Sequence, residues 1–403
     1  MRVGVGYSDN PDTNMAGMQA AMSALRQASN GESCDLVLLF FTARHEARIL
    51  HDAVEAVVGQ DVPIIGGAAV GAISNDRFGY AGDQIILAAF WLEGATCNIF
   101  AEGGLRESEE ETGKRLGRKL ADIGITADSS VLLFYDAIDR VNDNVRLLMV
   151  TPLINGIEQS LGFLPDLVGA GFQGDYAASP TRQLAGKKML QHNALALAFS
   201  GEVHIDSVIM HGCRPATDYY TVTKADRQTV LEINGQPALK FLDALLNESI
   251  SPDDYPFFLI LGMNRGDKWG EFDEKSYANR LCLAIDKERD GIVMFEPDMV
   301  EGTEFQIMYR SFDLGYIPPR MEKMFADLEM EGRKPVFALY IDCAGRAAGY
   351  AGTDLEDALV VQKAIAGRVP LLGIYSGVEI ASVEGRPRGL DWTGVFCLFS
   401  VPK

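Results

Sequence analysis

The sequence predicts a mixed α/β protein of two domains, with mixed sheets covered by helices and built from a repeated strand, helix, strand, glycine-turn and strand module. Three observations predict it. Short apolar runs that leave through glycines recur as Asp61-Val62-Pro63-Ile64-Ile65-Gly66-Gly67, Pro165-Asp166-Leu167-Val168-Gly169-Ala170-Gly171 and Val369-Pro370-Leu371-Leu372-Gly373-Ile374-Tyr375-Ser376-Gly377. Each reads as a buried strand ending in a tight turn. An apolar strand and a helical stretch precede every copy, the strands being residues 36–41, 131–135 and 336–341. A second apolar strand follows every copy, at 84–92, 194–200 and 394–401. One supersecondary unit used three times leaves this signature.

In order, residues 2–7 read as a first strand and the Ala- and Met-rich 14–27 as the helix returning from it. A strand at 36–41 precedes a helix at 45–58, where Ile49, Leu50, Val54 and Val57 keep helical spacing. The turn at 66–74 and a loop at 79–83 lead into the long strand ending at Leu92. Ser108-Glu109-Glu110-Glu111 has the capping-box spacing and opens a solvated helix rather than a catalytic carboxylate cluster. The second module runs through a helix expected at 142–161, and 203–210 alternates like a strand with one wet face. Residues 219–223 and 229–233 read as a hairpin with turns at 224–226 and 234–235, after which Pro237 opens a helix at 238–246. The domain boundary is placed there, giving domains 1–225 and 226–403. Strands at 257–262, 281–285, 292–295 and 305–309 precede a helix at 318–331, whose Met321, Met324, Phe325 and Leu328 form a core stripe rather than a cofactor box.

A length of 403 residues suffices for two or more cores. The formal net charge of -20 counts against nucleic acid and anionic membranes as partners, since both need clustered Lys and Arg. The longest apolar runs, such as 85–92, are too short to span a bilayer, and the opening Met1-Arg2-Val3-Gly4 lacks the apolar core of a secretory signal. A cytoplasmic location is therefore expected. The six cysteines are scattered without the spacing of a zinc knuckle or redox pair, so no disulfide is expected.

Gly169-Ala170-Gly171-Phe172-Gln173-Gly174 spells the dinucleotide fingerprint, but the Asp175-to-Pro180 stretch that follows is a loop with a negative charge where a pyrophosphate would sit. The five histidines form no metalloprotease or zinc pair. His204 and His211, seven apart on one strand, fall on opposite faces, and His211 beside Cys213 is the best single candidate should a metal cofactor exist. Cys343 and Arg346 sit just beyond the apolar core of the 336–341 strand. A thiolate beside Arg346 has the makings of a nucleophile, yet no histidine lies in the C-terminal module to act as its base. Arg346 suits a bidentate grip on a carboxylate and Glu379 an ammonium; with Thr393, Tyr375 and Gly377 they make the equipment of an amino-acid-sized pocket. An internal Arg346–Glu379 ion pair is the competing reading. Gly66 and Gly67 mark the corresponding turn of the first module, where a ligand can approach backbone closely.

At Cys343 to Arg346, Gly377-Val378-Glu379 and Asp391-Trp392-Thr393 the chain resembles the FIST family, a sensory module of an N-terminal and a C-terminal domain. Ile64-Ile65-Gly66-Gly67, Ala88-Ala89-Phe90 and His211-Gly212-Cys213-Arg214-Pro215 resemble its first domain, and Asn234-Gly235-Gln236-Pro237-Ala238-Leu239 the opening of its second. Leu390-Asp391-Trp392 departs from the polar step the family tends to place before this threonine.

The resemblance implies an intracellular sensor of a small ligand such as an amino acid. Only Pro402 and Lys403 follow Val401, so signalling is expected to pass through a separate partner, a histidine kinase or another signalling protein. One branch of the family implies a second reading, a haem-binding nitric oxide sensor with His211 or His204 as axial ligand. A third is a thiol-dependent enzyme using Cys343.

Overall fold

The structure is a computed structural model that describes residues 1–141, 144–246, 250–256, 258–311 and 313–403. The first module comprises β1 (Arg2–Ser8), α1 (Thr13–Ala28), β2 (Leu36–Phe41), α2 (Ala47–Val58), β3 (Ile64–Ala68), β4 (Gly71–Ile73), β5 (Phe78–Tyr80) and β6 (Ile85–Trp91). The second comprises β7 (Thr96–Gly103), α3 (Glu109–Asp122), β8 (Ser130–Asp136), β9 (Ile138–Val141), β10 (Asn144–Leu147), α4 (Val150–Leu161), β11 (Asp166–Phe172), β12 (Gln183–Ala185), β13 (Lys188–Leu190) and β14 (Asn193–Ser200). The third opens with β15 (His204–Met210). An insert then supplies β16 (Cys213–Pro215), β17 (Tyr220–Asp226), β18 (Thr229–Ile233), β19 (Gln236–Pro237), α5 (Ala238–Leu246), β20 (Ile260–Asn264), β21 (Tyr277–Asp286), β22 (Gly291–Met294) and β23 (Glu304–Arg310). The third module resumes with α6 (Ile317–Met330), β24 (Arg333–Cys343), α7 (Ala348–Ala351), α8 (Asp357–Ile365), β25 (Leu371–Ser376), β26 (Val378–Val383), β27 (Arg386–Leu390) and β28 (Gly394–Pro402).

The repeat read from the sequence is realised as three mixed sheets of one topology. Their orders are β1-β6-β2-β3-β12-β13, β7-β14-β8-β11-β26-β27 and β15-β28-β24-β25-β4-β5. In each, the third and fourth strands are parallel and the others antiparallel. The last two strands of every sheet are a hairpin lent by another module. The first module lends β4–β5 to the third sheet, the third lends β26–β27 to the second, and the second lends β12–β13 to the first. The three modules are thus stitched into a ring.

Strand alternation explains the layers. Leu36, Leu38 and Phe40 of β2 point to one face, into a core shared with Leu132 and Phe134 of β8 and Leu339 and Ile341 of β24. Val37, Leu39 and Phe41 point to the other face, against α1 and α2. Equivalent outer layers set α3 and α4 on the second sheet and α6 and α8 on the third. Phe90, Phe199 and Phe399, from equivalent strands of the three sheets, meet at 5.9–6.4 Å between centroids. Strands buried on both faces must be apolar throughout, which is why they read as unbroken runs.

The insert is a closed barrel: β23, β17, β18, β22, β21 and β20 pair in sequence, and β20 returns to β23. Among the described residues no helix is long and apolar enough to cross a membrane.

Several expectations change. Residues 138–141 and 144–147 pair as the antiparallel strands β9 and β10, and α4 starts only at Val150; Val145 and Leu148 lie three apart and mimic the helical spacing of α4. Asn142, the expected start of that helix, lies outside the described residues, as does Phe257 at the start of the strand expected at 257–262. Pairing of β17 with β18 runs to Asp226↔Thr229, so the turn sits at Arg227, whose φ is +53°, rather than at 224–226. The division at 225/226 falls within β17.

Candidate functional site

Parallel pairing of β24 and β25 puts Cys343 beside Ser376 at the carboxyl ends of both strands, the edge at which open α/β sheets bind ligands. Gly377 donates its N–H to Gly171 of β11 at 3.0 Å and sends the chain into the second sheet. Gln173 and Tyr176, just past β11, therefore arrive at the same place. The barrel adds Leu281 and Phe295, and the end of β27 adds Asp391. Together they enclose a cavity of about 80 Å³.

Its walls are specified by close fits. A Cβ on Gly377 would lie 2.9 Å from Gln173 Oε1, and one on Gly345 would lie 3.3 Å from the Trp392 ring. Tyr176 stacks on Tyr350 at 4.3 Å with planes 9° apart, and its hydroxyl donates to the Ala344 carbonyl at 2.8 Å. Tyr350 is 53% exposed and stands at the solvent side.

Arg346 lies beneath this floor, buried, with every N–H engaged by the chain. Nε donates to Asp342 (3.2 Å) and Asp357 (3.1 Å), and Nη1 to the carbonyls of His211 (2.8 Å) and Trp392 (3.3 Å). Nη2 donates to the Tyr316 hydroxyl (2.9 Å) and again to Asp357. The Arg346–Glu379 ion pair is not formed: Glu379 accepts instead from Ser376 Oγ (2.9 Å) and the Thr393 N–H (3.4 Å). Burial raises the Glu379 carboxyl well above its ordinary range, with Asp342 and Asp391 adding to the rise. Thr393 Oγ1 donates to the Asp391 carbonyl, and the Tyr375 hydroxyl to Glu356 at 2.7 Å.

The Cys343 thiol is pushed up well above the usual range by burial and by the nearby Glu379 carboxylate. A thiol held protonated is not an activated nucleophile. His211 spends both ring nitrogens inside the chain, Nε2 donating to the Glu274 carbonyl (3.1 Å) and Nδ1 accepting from the Cys213 N–H (2.9 Å). Burial lowers its pKa to about 4. The cavity next to it measures only about 40 Å³. His204 is exposed on the edge strand β15. These residues do not fit a haem, and among the described residues no group of three His, Cys, Asp or Glu is placed to hold a metal.

Gly66 and Gly67 serve packing in the first sheet. A Cβ on Gly66 (φ +148°) would sit 2.0 Å from the Leu39 carbonyl oxygen, and one on Gly67 would meet the Phe172 ring at 2.8 Å. The expected residues therefore divide: Cys343 and Gly377 line the cavity; Arg346, Tyr375, Glu379 and Thr393 are buried; and Gly66 and Gly67 belong to another sheet.

Two family models match the chain in succession, the FIST N domain over residues 35–236 and the FIST C domain over residues 238–382. The chain belongs to the FIST family. FIST domains are sensory domains of signal transduction proteins. An uncharacterized protein of Mycobacterium tuberculosis strain H37Rv is 26% identical over 410 residues, covering 99% of this chain and 100% of the relative. An uncharacterized protein of Mycobacterium bovis is 26% identical over 409 residues, covering 99% of each. A solved structure of cyanuric acid hydrolase from A. caulinodans is similar at a TM-score of 0.35 and 9% identity, covering 100% of this chain and 99% of that one.

Within this FIST chain, the residues that complete the site but were not singled out from the sequence are Asp357, Tyr316, Tyr176 and Tyr350. Trp392 stood in a quoted motif, yet its strain is visible only in the structure. It holds φ +53° while nearly buried, with the Arg310 guanidinium 3.2 Å from its ring centroid. A large aromatic in the left-handed region is uncommon and costs about 1–3 kcal/mol.

Proposed function

We propose that the cavity bounded by Cys343, Gly377, Tyr176 and Asp391 is the ligand chamber of a sensor. Its ligand is a small polar molecule, an amino acid or similar small carboxylate, and occupancy is passed to a separate histidine kinase or other signalling protein. The observation that carries this reading is position: the chamber is walled by the second module, the third module and the barrel together. A ligand that touches all three changes how they pack, which is the differential interaction a sensor needs. The glycines at 345 and 377 leave backbone at the wall, and Asp391, raised to about 6 chiefly by burial, is largely ionised at neutral pH and suits an ammonium group. Arg346 then acts as a positioning residue, tying the Trp392 and His211 backbones to helix α8 through Asp357.

A thermal-shift screen of the purified chain against amino acids and small carboxylates tests the proposal. A ligand at a hundred times its dissociation constant adds about 2.7 kcal/mol. Gly377→Val, which fills the chamber against Gln173, is expected to remove the shift. No shift from any compound, or an unchanged shift in G377V, overturns the assignment.

A further inference from the structure

A second cavity, of about 270 Å³, lies between α4, the barrel and β27, lined by Thr151, Asn155, Arg265, Arg386, Arg388 and Asp298 among others. Its charges do not balance. Asp298 is gripped by Arg280, with both bonds at 2.6 Å, and Glu158 by Arg386 at 2.7 and 2.6 Å. Glu296 gives its oxygens to the N–H groups of Val150 (3.1 Å) and Thr151 (2.9 Å). That leaves Arg265 and Arg388. Among the described residues the Arg388 side chain makes no hydrogen bond or ion pair, and the Arg265 side chain makes only a 3.0 Å contact from Nη2 to the Met263 sulfur. The Nε of both is shielded from solvent and unpartnered. Asp298 attracts the two guanidiniums from further off, but burial and the neighbouring arginines push Arg388 down to about 10 and lower Arg265 as well.

Two half-buried guanidiniums that repel one another, in a chain with a net charge of -20, are an arrangement that costs stability unless an anion joins them. Apart from Asp298 and Arg386, which are held by Arg280 and Glu158, the polar side chains that line the cavity beside these arginines are the neutral Thr151 and Asn155. A carboxylate satisfies one guanidinium fork; two free forks plus a hydroxyl and an amide match the charge and the several acceptor oxygens of a phosphate. The end of α4 is not the anchor, since Glu296 already occupies its first N–H groups.

We propose that this cavity binds the phosphate group of a small molecule, held between Arg265 and Arg388 with Thr151 and Asn155 as neutral partners. The site is independent of the Cys343 chamber, and its failure would leave that reading untouched.

The test is calorimetric titration of the full chain with inorganic phosphate, at ionic strength held constant with sodium chloride, and with acetate in parallel. Saturable one-site binding of phosphate is expected, weakened about tenfold or more by Arg265→Gln and by Arg388→Gln. R388K, which keeps the charge but loses the fork, should fall between. In phosphate-free buffer R388Q is expected to melt no lower than the parent, because it removes an unpaired cation. Absence of saturable heat, acetate binding as tightly as phosphate, unchanged affinity in both glutamine variants, or a lowered melting temperature of R388Q without phosphate would each overturn the proposal.

Discussion

The Tyr176 hydroxyl donates a 2.8 Å hydrogen bond to the Ala344 carbonyl, so the loop leaving the second sheet is tied to the turn leaving β24. The bond spans two modules and roofs the chamber. Tyr176→Phe should lower stability by about 1 kcal/mol, the net worth of one such bond. Tyr350→Ala, which removes a half-exposed stacking partner, should cost a further ~0.5–1.5 kcal/mol. Urea denaturation measures both. A combined loss equal to the sum of the single losses would mean that ring and hydroxyl act independently; a shared loss would mean that the stack positions the hydroxyl.

Arg346 is expected to matter first for folding. Its removal leaves Asp342 and Asp357 buried without their cation, a change that costs about 3–5 kcal/mol in comparable buried pairs. Arg346→Ala should therefore unfold at markedly lower urea. R346K keeps the charge but cannot reach five partners, and should lie between. A free energy of unfolding for R346A within about 1 kcal/mol of the parent would contradict the clamp.

The difference between Arg346 as expected and as found shows what the sequence can express. The strands of the three sheets were legible because both of their faces are buried, so Leu36 to Phe41 and its equivalents had to be apolar at every position. The exchanged hairpins were not. A three-residue strand such as Gly71–Ile73 carries no periodicity, and its partner β25 lies about three hundred positions away. Arg346 was legible as a charge at a strand end, but its partner Asp357 stands eleven positions on, beyond a short helix, and Tyr316 comes from another element. Arg265 and Arg388 had no local signal, since only the fold brings β20 and β27 to one cavity.

Thiol chemistry gives a third expectation. Burial pushes Cys213 and Cys282 up to about 12 and Cys34 and Cys97 to about 11, and Cys343 is raised further by Glu379 beside it. Of the six, only Cys97 is not buried. A thiol reagent near pH 8 should label Cys97 first and Cys343 only on unfolding. Prompt labelling of Cys343 in the native chain, followed by mass spectrometry, would restore the nucleophile reading.

Stability should fall as pH rises from about 5 to about 8. Asp136 and Glu296 are raised to about 7 and Asp391 to about 6, each chiefly by burial. An unfolded chain loses these protons near pH 4, whereas the folded chain keeps them up to about 6 or 7. The folded state thus binds more protons across that window. The stability these groups contribute is complete below the unfolded value and is lost as pH rises through the folded one. His211 works the other way: lowered to about 4, it is neutral in the folded chain while the unfolded imidazole is charged, so its contribution rises with pH between about 4 and 6.5. Three carboxyls outweigh one imidazole, and Asp342 and Glu379, raised well above their range by burial, add to the same side. Melting temperatures at about pH 5.5 and about pH 8 should differ in favour of the acid side, and Glu296→Gln, which has no proton to lose, should narrow the gap. Equal melting temperatures at both values, or a gap in E296Q as wide as the parent's, would show that these carboxyls are ionised in the fold after all.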